Sequence, residues 1–174
     1  MENQKIIALH NIFSSRLDTL NHLLEVAENH FVDDLEVLWQ RRIASDMFPF
    51  GTQIAFACNQ PRNFALWCLG KSANNLNPEV KSFAEARDHI SSTQELLTSI
   101  NVADSKLLEL NRIDLGQGLY LELSGLSYVD DFLVPNFYFH ITTAYNILRM
   151  AGAPIGKRDF MMHLVPLLKH QNNA

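Results

Sequence analysis

Apolar residues recur every three or four positions from Ile6 to about Asn29, at Leu9, Phe13, Leu17, Leu20, Leu24 and Ala27. That spacing keeps one side of a helix apolar and predicts a first long amphipathic helix. Asp33 to Ala44, which holds LEVLWQRRIA, reads as a short helix or an ordered connection ending near Ser45-Asp46. A second long helix follows Pro49, a residue suited to a first helical turn because the amide it lacks would be unpaired there. It runs to a stop at Gly70, and Pro61 inside it predicts a kink. Lys71 to Pro78 is a loop by composition. Ser82, with Glu85 three residues later, makes a capping box for a third helix whose buried side is Phe83, Ala86, Ile90, Leu97 and Ile100. Between Asn111 and Gly125 the period shortens to two. Ile113 and Leu115, the turn Gly116-Gln117-Gly118, then Leu119, Leu121 and Leu123 alternating with Tyr120 and Glu122, predict a β-hairpin. A fourth long helix covers roughly Ser127 to Ala151, stopping at Gly152 with Pro154 beyond, and Lys157 to Leu168 reads as a short fifth helix.

Four long helices with short connections predict an all-α fold, a four-helix bundle with a short β-hairpin before the last bundle helix and a short C-terminal helix. Ligand sites in such a bundle lie between facing helices, and aromatics such as Trp39 and Trp67 are expected in the core. The chain of 174 residues, 47% of them apolar, reads as a single domain over residues 1–174. At this length about 70% of the unfolded surface can be buried, so the core needs no disulfide or metal to close it. Cys58 and Cys68 lie about 15 Å apart along one helix, which excludes a bond between them. The N-terminal MENQKIIALH breaks after four apolar residues at His10, too soon for a secretory signal, so a reducing, cytoplasmic setting is expected. Phe132 to Leu148 is uncharged but carries Pro135, Asn136, His140, Thr142, Thr143 and Asn146, and reads as a buried helix instead of a membrane span. The 14 Lys and Arg are scattered among 19 acidic residues. That pattern argues against nucleic acid and against a membrane surface as partners.

Chemistry is sparse. The chain has no phosphate loop, no Cys-x-x-Cys, no nucleophile elbow and no His-Glu-x-x-His. The informative stretch is PNFYFHITTAYNILRMAG, residues 135–152. At about 100° per residue, Asn136, His140 and Thr143 form one column beside the apolar column of Phe137, Ile141, Ala144 and Leu148. Polar groups placed so near a core require hydrogen-bond partners.

The string PNFYFHITTAYNILRMAGAPIGKRDF, together with DMFPFGTQIAFAC at residues 46–58, resembles an uncharacterised bacterial domain-of-unknown-function family of the DinB/YfiT-like metalloenzyme superfamily, over nearly the whole chain. The resemblance implies a four-helix bundle, often dimeric, whose better-known members are metal-dependent thiol transferases and related isomerases. It also implies three histidine ligands, one from helix two and two from a His-x-x-x-His pair on the last bundle helix, followed by Leu-Arg and then Gly and Pro. Alignment on Leu148, Arg149, Gly152 and Pro154 sets His140 on the second histidine and Asn136 on the first. No histidine occurs between His30 and His89, and Gln53 is the nearest polar replacement on helix two. Neutral amides are poor substitutes for imidazoles as zinc or nickel ligands. The expectation is therefore a hydrogen-bonded cluster of Gln53, Asn136 and His140 without a cofactor, with a bound divalent metal (Zn or Ni) as the alternative.

His10, His22, His30, His89, His163 and His170 are spread over different segments and read as exposed or packed. Asp130-Asp131 meets the positive end of the last helix. Within Gly156 to Phe160, Asp159 is expected to cap or bridge while Phe160 docks the last helix, anion capture being the other reading. Asp46 is expected to cap helix two and, if the helix starts lie close together, to face the pocket. The resulting functional expectation is a small-ligand pocket of Gln53, Asn136, His140, Thr143, Tyr145 and Asp46, with Tyr138 an alternative to Tyr145. It would belong to a module with a degenerate metal site that binds a small ligand, assembles as a homodimer, or does both, and its one evident acid or base is His140. A metal- or thiol-dependent transferase using His140 is the competing reading.

Overall fold

A computed structural model describes residues 4–32 and 35–169. Its elements in chain order are α1 (Gln4–His30), α2 (Leu35–Gln40), α3 (Phe50–Cys68), α4 (Phe83–Thr98), β1 (Leu110–Gly116), β2 (Leu119–Ser124), α5 (Gly125–Ser127), α6 (Val134–Ala151) and α7 (Lys157–Phe160). The expected all-helical bundle with one hairpin is what forms. Helix α3 is the central element, packed against both α4 and α6. It therefore buries residues around most of its circumference, from Phe50 through Ile54, Ala57 and Phe64 to Cys68. Phe13 of α1 ties the layers together, its ring 5.4 Å from Phe64 and 5.3 Å from Phe137. At one end Trp39 of α2 closes the core against Phe50 and Phe83, at 5.2 and 4.9 Å.

The helix ends follow local chemistry, with three departures from the sequence expectation. Helix α3 starts at Phe50 with Pro49 as its cap residue, outside the first turn, and no side chain caps it. Asp46 is exposed and is not the cap. The first amide instead donates to the Arg41 carbonyl, Phe50 N to Arg41 O at 2.8 Å, so an earlier backbone turn supplies the acceptor that Asp46 was expected to give. At α4, Ser82 Oγ accepts from the Glu85 amide as expected, but the Glu85 carboxylate accepts from Lys81 N, one residue before the cap. Gly51 in the first turn of α3 lets the Val80 carbonyl approach closely; a Cβ there would sit 2.1 Å from that oxygen.

The last bundle helix is not uniform. Between α5 and α6, Tyr128–Leu133 forms a π-helical turn. Pro135 accounts for it, because its ring would clash with the carbonyl one α-turn back and it has no amide to donate, and a wider turn relieves both problems. The helix ends at Gly152, whose φ of 101° suits glycine. The C-terminal segment is also split: α7 gives way to a 3-10 stretch, Met162–Leu167. Pro166 lies in that stretch and could not donate the bond that an α-turn would need.

Strands β1 and β2 pair antiparallel through the turn Gly116-Gln117-Gly118, all three at positive φ. Asn111, Ile113 and Leu123 face the bundle, whereas Leu110, Leu115, Leu119 and Leu121 are exposed. No helix among the described residues is long and apolar enough to cross a membrane.

Candidate functional site

Helices α3 and α6 pack face to face, and one polar pair sits in that seam. His140 is 9% exposed and Gln53 is buried, and His140 Nδ1 lies 2.8 Å from Gln53 Oε1. The direction of this bond follows from the next one. Gln53 Nε2 donates to the Phe48 carbonyl at 2.9 Å, so the amide oxygen is the atom turned to the imidazole, and Nδ1 must carry the proton. The ring is the Nδ1–H tautomer, with a free lone pair on Nε2. That nitrogen has no hydrogen-bond partner among the described residues, and it is not one of the sealed polar atoms, so it is open to solvent. Phe56 and Phe139 flank the ring edge-on at 5.3 and 5.2 Å. This apolar burial pushes the His140 pKa down to about 4, which leaves the ring neutral at physiological pH.

The other expected pocket residues lie apart from this pair. Asn136 is half-buried, and its Nδ2 donates to the Phe132 carbonyl at 2.7 Å, patching the π turn. The expected three-residue cluster is thus reduced to Gln53 and His140. Thr143 is buried and donates to the Phe139 carbonyl one turn back. Tyr145 lies on another side of α6, packed against Phe160 at 5.5 Å. The hydroxyl of Tyr138 accepts from Arg16 Nε at 3.1 Å. Asp46 lies in the exposed turn before α3.

The remaining histidines are dispersed. His22 Nε2 meets Asp159 at 2.9 Å, and Asp159 also accepts from the Gly156 amide, so its carboxyl is held below the usual range, chiefly by His22. With Phe160 docked on Tyr145, this segment performs the capping and docking expected of it. His89 reaches the Asn77 carbonyl, His30 stacks edge-on against Phe31, and His10 lies beside Asn11. His163 Nδ1 is sealed without a partner among the described residues, and burial followed by Arg16 holds that ring below the usual histidine range. His170 lies outside the described residues. Asp130 pairs with Lys5 at 3.0 Å. Cys58 and Cys68 are buried free thiols raised by burial, Cys68 to about 12, which makes both poor nucleophiles.

The resemblance implies a metal held by three histidines. Among the described residues no group of three or more His, Cys, Asp or Glu is placed to hold a metal ion. Around His140 the available atoms are one imidazole nitrogen and neutral amides already engaged in hydrogen bonds. That set does not fit a zinc or nickel centre, which favours several imidazole or anionic ligands.

Next to the pair, a groove of about 780 Å³ opens between α3, the loop after it, the hairpin and the π turn. Sequence reasoning missed it. Its α3 wall is Phe56, Asn59, Gln60, Asn63 and Trp67, a helical-face spacing that was legible in principle. Of the expected pocket residues only Asn136 lines it.

The family pattern described as a domain of unknown function (DUF1993) matches residues 8–161, most of the chain. The chain belongs to the DUF1993 family. The match includes both motifs on which the resemblance rested, and ends just after the docked Phe160. No curated protein matches this DUF1993 chain. Among solved structures it is similar to a DinB family member protein from Shewanella denitrificans, at 28% identity, covering 93% of this chain and 90% of that one, with a TM-score of 0.72. The DinB-like resemblance and the bundle fold expected from it are therefore both borne out.

Proposed function

We propose that this DUF1993 protein is a DinB-like bundle whose metal site has degenerated and which binds a small ligand beside the His140–Gln53 pair. The observation that carries the reading is the chain of bonds from the Phe48 carbonyl through Gln53 to His140 Nδ1. It occupies the amide at the position nearest to the missing helix-two histidine and fixes one tautomer. It presents a single neutral acceptor, Nε2, as a ligand-binding atom. A base with a pKa of about 4 is nearly all unprotonated at pH 7, but its low basicity makes it a weak proton acceptor in catalysis, which favours binding over transferase chemistry at His140. The test is thermal melting of chelator-treated protein with added zinc, nickel and manganese, beside His140→Ala. A functional metal site at a hundredfold excess over its dissociation constant would stabilise by about 2.7 kcal/mol. The expected result is no His140-dependent shift; a stabilisation of that size that disappears in His140→Ala would restore the metalloenzyme reading.

A second reading, assembly as a homodimer, is favoured by the hairpin. Leu110 is 77% and Leu119 65% exposed, and among the described residues each strand has one partner and one free edge. A symmetric pairing of hairpins from two copies would cover both the leucines and the edges. Light scattering after gel filtration is expected to give a dimer that Leu119→Lys with Leu121→Lys converts to a folded monomer. A monomeric unmodified protein at micromolar concentration would end this reading.

A further inference from the structure

The groove beside the pair carries polar atoms that the fold leaves unused, and backbone partners fix which atoms these are. Asn59 is 3% exposed, and its Oδ1 accepts from the Leu76 amide at 2.8 Å. A backbone amide only donates, so the other end of this side chain is the NH2 group. Among the described residues that NH2 has no hydrogen-bond partner and is not sealed, so in a residue this buried it opens into the groove that the residue lines. Gln60 and Asn136 have the opposite polarity. Their NH2 groups donate to the Phe56 and Phe132 carbonyls at 3.1 and 2.7 Å, and a carbonyl only accepts, so each keeps an amide oxygen that is free among the described residues. One turn beyond Asn59 on the same face, Asn63 Oδ1 is sealed with no partner among the described residues. This face of α3 therefore holds more hydrogen-bonding capacity than the fold itself satisfies, against the rule for buried polar groups.

Helix register brings the free donor and the two free acceptors to one level. His140 meets Gln53 and Phe56, and Tyr128 meets Trp67, so α3 and the chain that runs from the π turn into α6 are antiparallel. Asn136, one turn before His140, then lies level with Asn59 and Gln60. The loop after α3, which forms a further wall, is clipped to the helix by three bonds: Leu76 N to Asn59 Oδ1, Arg62 Nε to the Asn74 carbonyl at 2.7 Å, and Asn63 Nδ2 to Asn75 Oδ1 at 3.0 Å. The half-buried rings of Phe56 and Phe132 line the same stretch. The charged residues that line the groove, Lys71, Lys106, Arg112 and Asp114, belong to the loop and to the chain in and before the hairpin, so the α3 and α6 walls are uncharged.

From this arrangement we infer that the groove binds an uncharged planar molecule with an amide edge, a carbonyl oxygen beside an N–H, as in aromatic carboxamides and lactam rings. The carbonyl accepts from Asn59 Nδ2 and the N–H donates to Gln60 Oε1, with Asn136 Oδ1 taking the second hydrogen of a carboxamide. The aromatic rings take the face of the molecule. A carboxylate would bring no donor to the two oxygens, and an ammonium would bring no acceptor to Asn59. Either would also lose hydration against neutral amides that return no opposite charge. The groove volume of about 780 Å³ lies in the range of small-molecule sites. The inference rests on the ligand-binding reading above and names its ligand class, through Asn59 and Gln60 instead of His140.

The experiment is an NMR titration of the full chain, followed at the side-chain NH2 signals. The probes are benzamide, nicotinamide and the lactam pyridone, beside benzoate, nicotinate and N-methylpyridone, which keep the rings and remove the N–H. At least one amide should saturate at millimolar concentration, at least tenfold tighter than its control, and should shift the Asn59 and Gln60 signals. Asn59→Asp keeps the oxygen that holds Leu76 and removes the free donor; Gln60→Met keeps the length of the side chain and removes a free acceptor. Each should weaken binding at least fivefold, with folding checked by circular dichroism, and Gln60→Met decides if Asn59→Asp does not fold. No saturable binding at millimolar concentration, controls that bind as tightly as the amides, or a Gln60→Met protein that binds as the unmodified one does would overturn the inference. Binding of the carboxylates alone would overturn it and leave the ligand-binding reading standing, whereas a His140-dependent zinc response would overturn the degenerate-site reading and leave this inference standing.

Discussion

Phe13→Ala is expected to lower the unfolding free energy by about 3–5 kcal/mol, the range for truncating a fully buried phenylalanine. Phe13 has no exposed surface and is the ring through which α1 meets both α3 and α6. Its loss removes the transfer free energy of the side chain and two aromatic contacts, each worth about 0.5–1.5 kcal/mol beyond area burial. The cavity cannot collapse easily, because Phe64 and Phe137 sit on two helices that are packed against each other. Urea unfolding measures the effect, and Ile7→Ala on the exposed side of the same helix is the control, with an expected change within about 0.5 kcal/mol. A cost below about 1.5 kcal/mol at Phe13 would show that α1 is not anchored through this ring.

Phe13 also illustrates what could be read in advance. Its place in the apolar stripe of α1 followed from spacing alone, as did the Ser82 cap, the hairpin around Gly116-Gln117-Gly118 and the stop at Gly152, because each is fixed by residues within a few positions of one another. The start of α3 just after Pro49 followed as well, but its cap did not, since the acceptor for its first amide is the Arg41 carbonyl and a nearby acid, Asp46, offered a local alternative. The π turn did not follow either: widening one turn leaves the apolar period of the flanking helix almost unchanged, and only Pro135 hinted at it. At the site, Gln53 and His140 were brought together by the alignment of the motif. Asn136 was misjudged because its local bond to Phe132 satisfies it without His140. The groove was hidden for a topological reason. Asn59, Gln60 and Asn63 look like ordinary polar helix positions until the hairpin, some fifty residues later in the chain, is folded across from them.

The second large effect is expected at Gln53. In Gln53→Leu both the Phe48 carbonyl and His140 Nδ1–H lose their partners in the seam between α3 and α6, and a buried group left unsatisfied costs about 1–3 kcal/mol. The expected destabilisation is about 2–4 kcal/mol, read by urea unfolding at pH 7. His140→Gln separates the pair's bond from its titration, because a glutamine amide can donate to Gln53 Oε1 without carrying a charge. Its cost should be smaller, and its pH profile should differ. With the folded-state pKa of His140 lowered to about 4 from 6.5, the unfolded chain binds a proton between those values while the folded chain does not. Stability from this group is thus fully present above pH 6.5 and falls as the pH drops towards 4, below which it changes no further. After allowance for solvent at the open Nε2 edge, the loss should be about 2 kcal/mol, and His140→Gln should abolish that portion of the slope. Nitrogen chemical shifts of the imidazole give an independent reading: a protonated Nδ1 and a bare Nε2 at pH 7 in the unmodified protein. A Gln53→Leu protein within about 1 kcal/mol of the original, or a His140-dependent stability that rises on acidification, would mean that the seam between α3 and α6 is wet and that the pair does not hold the imidazole in one state.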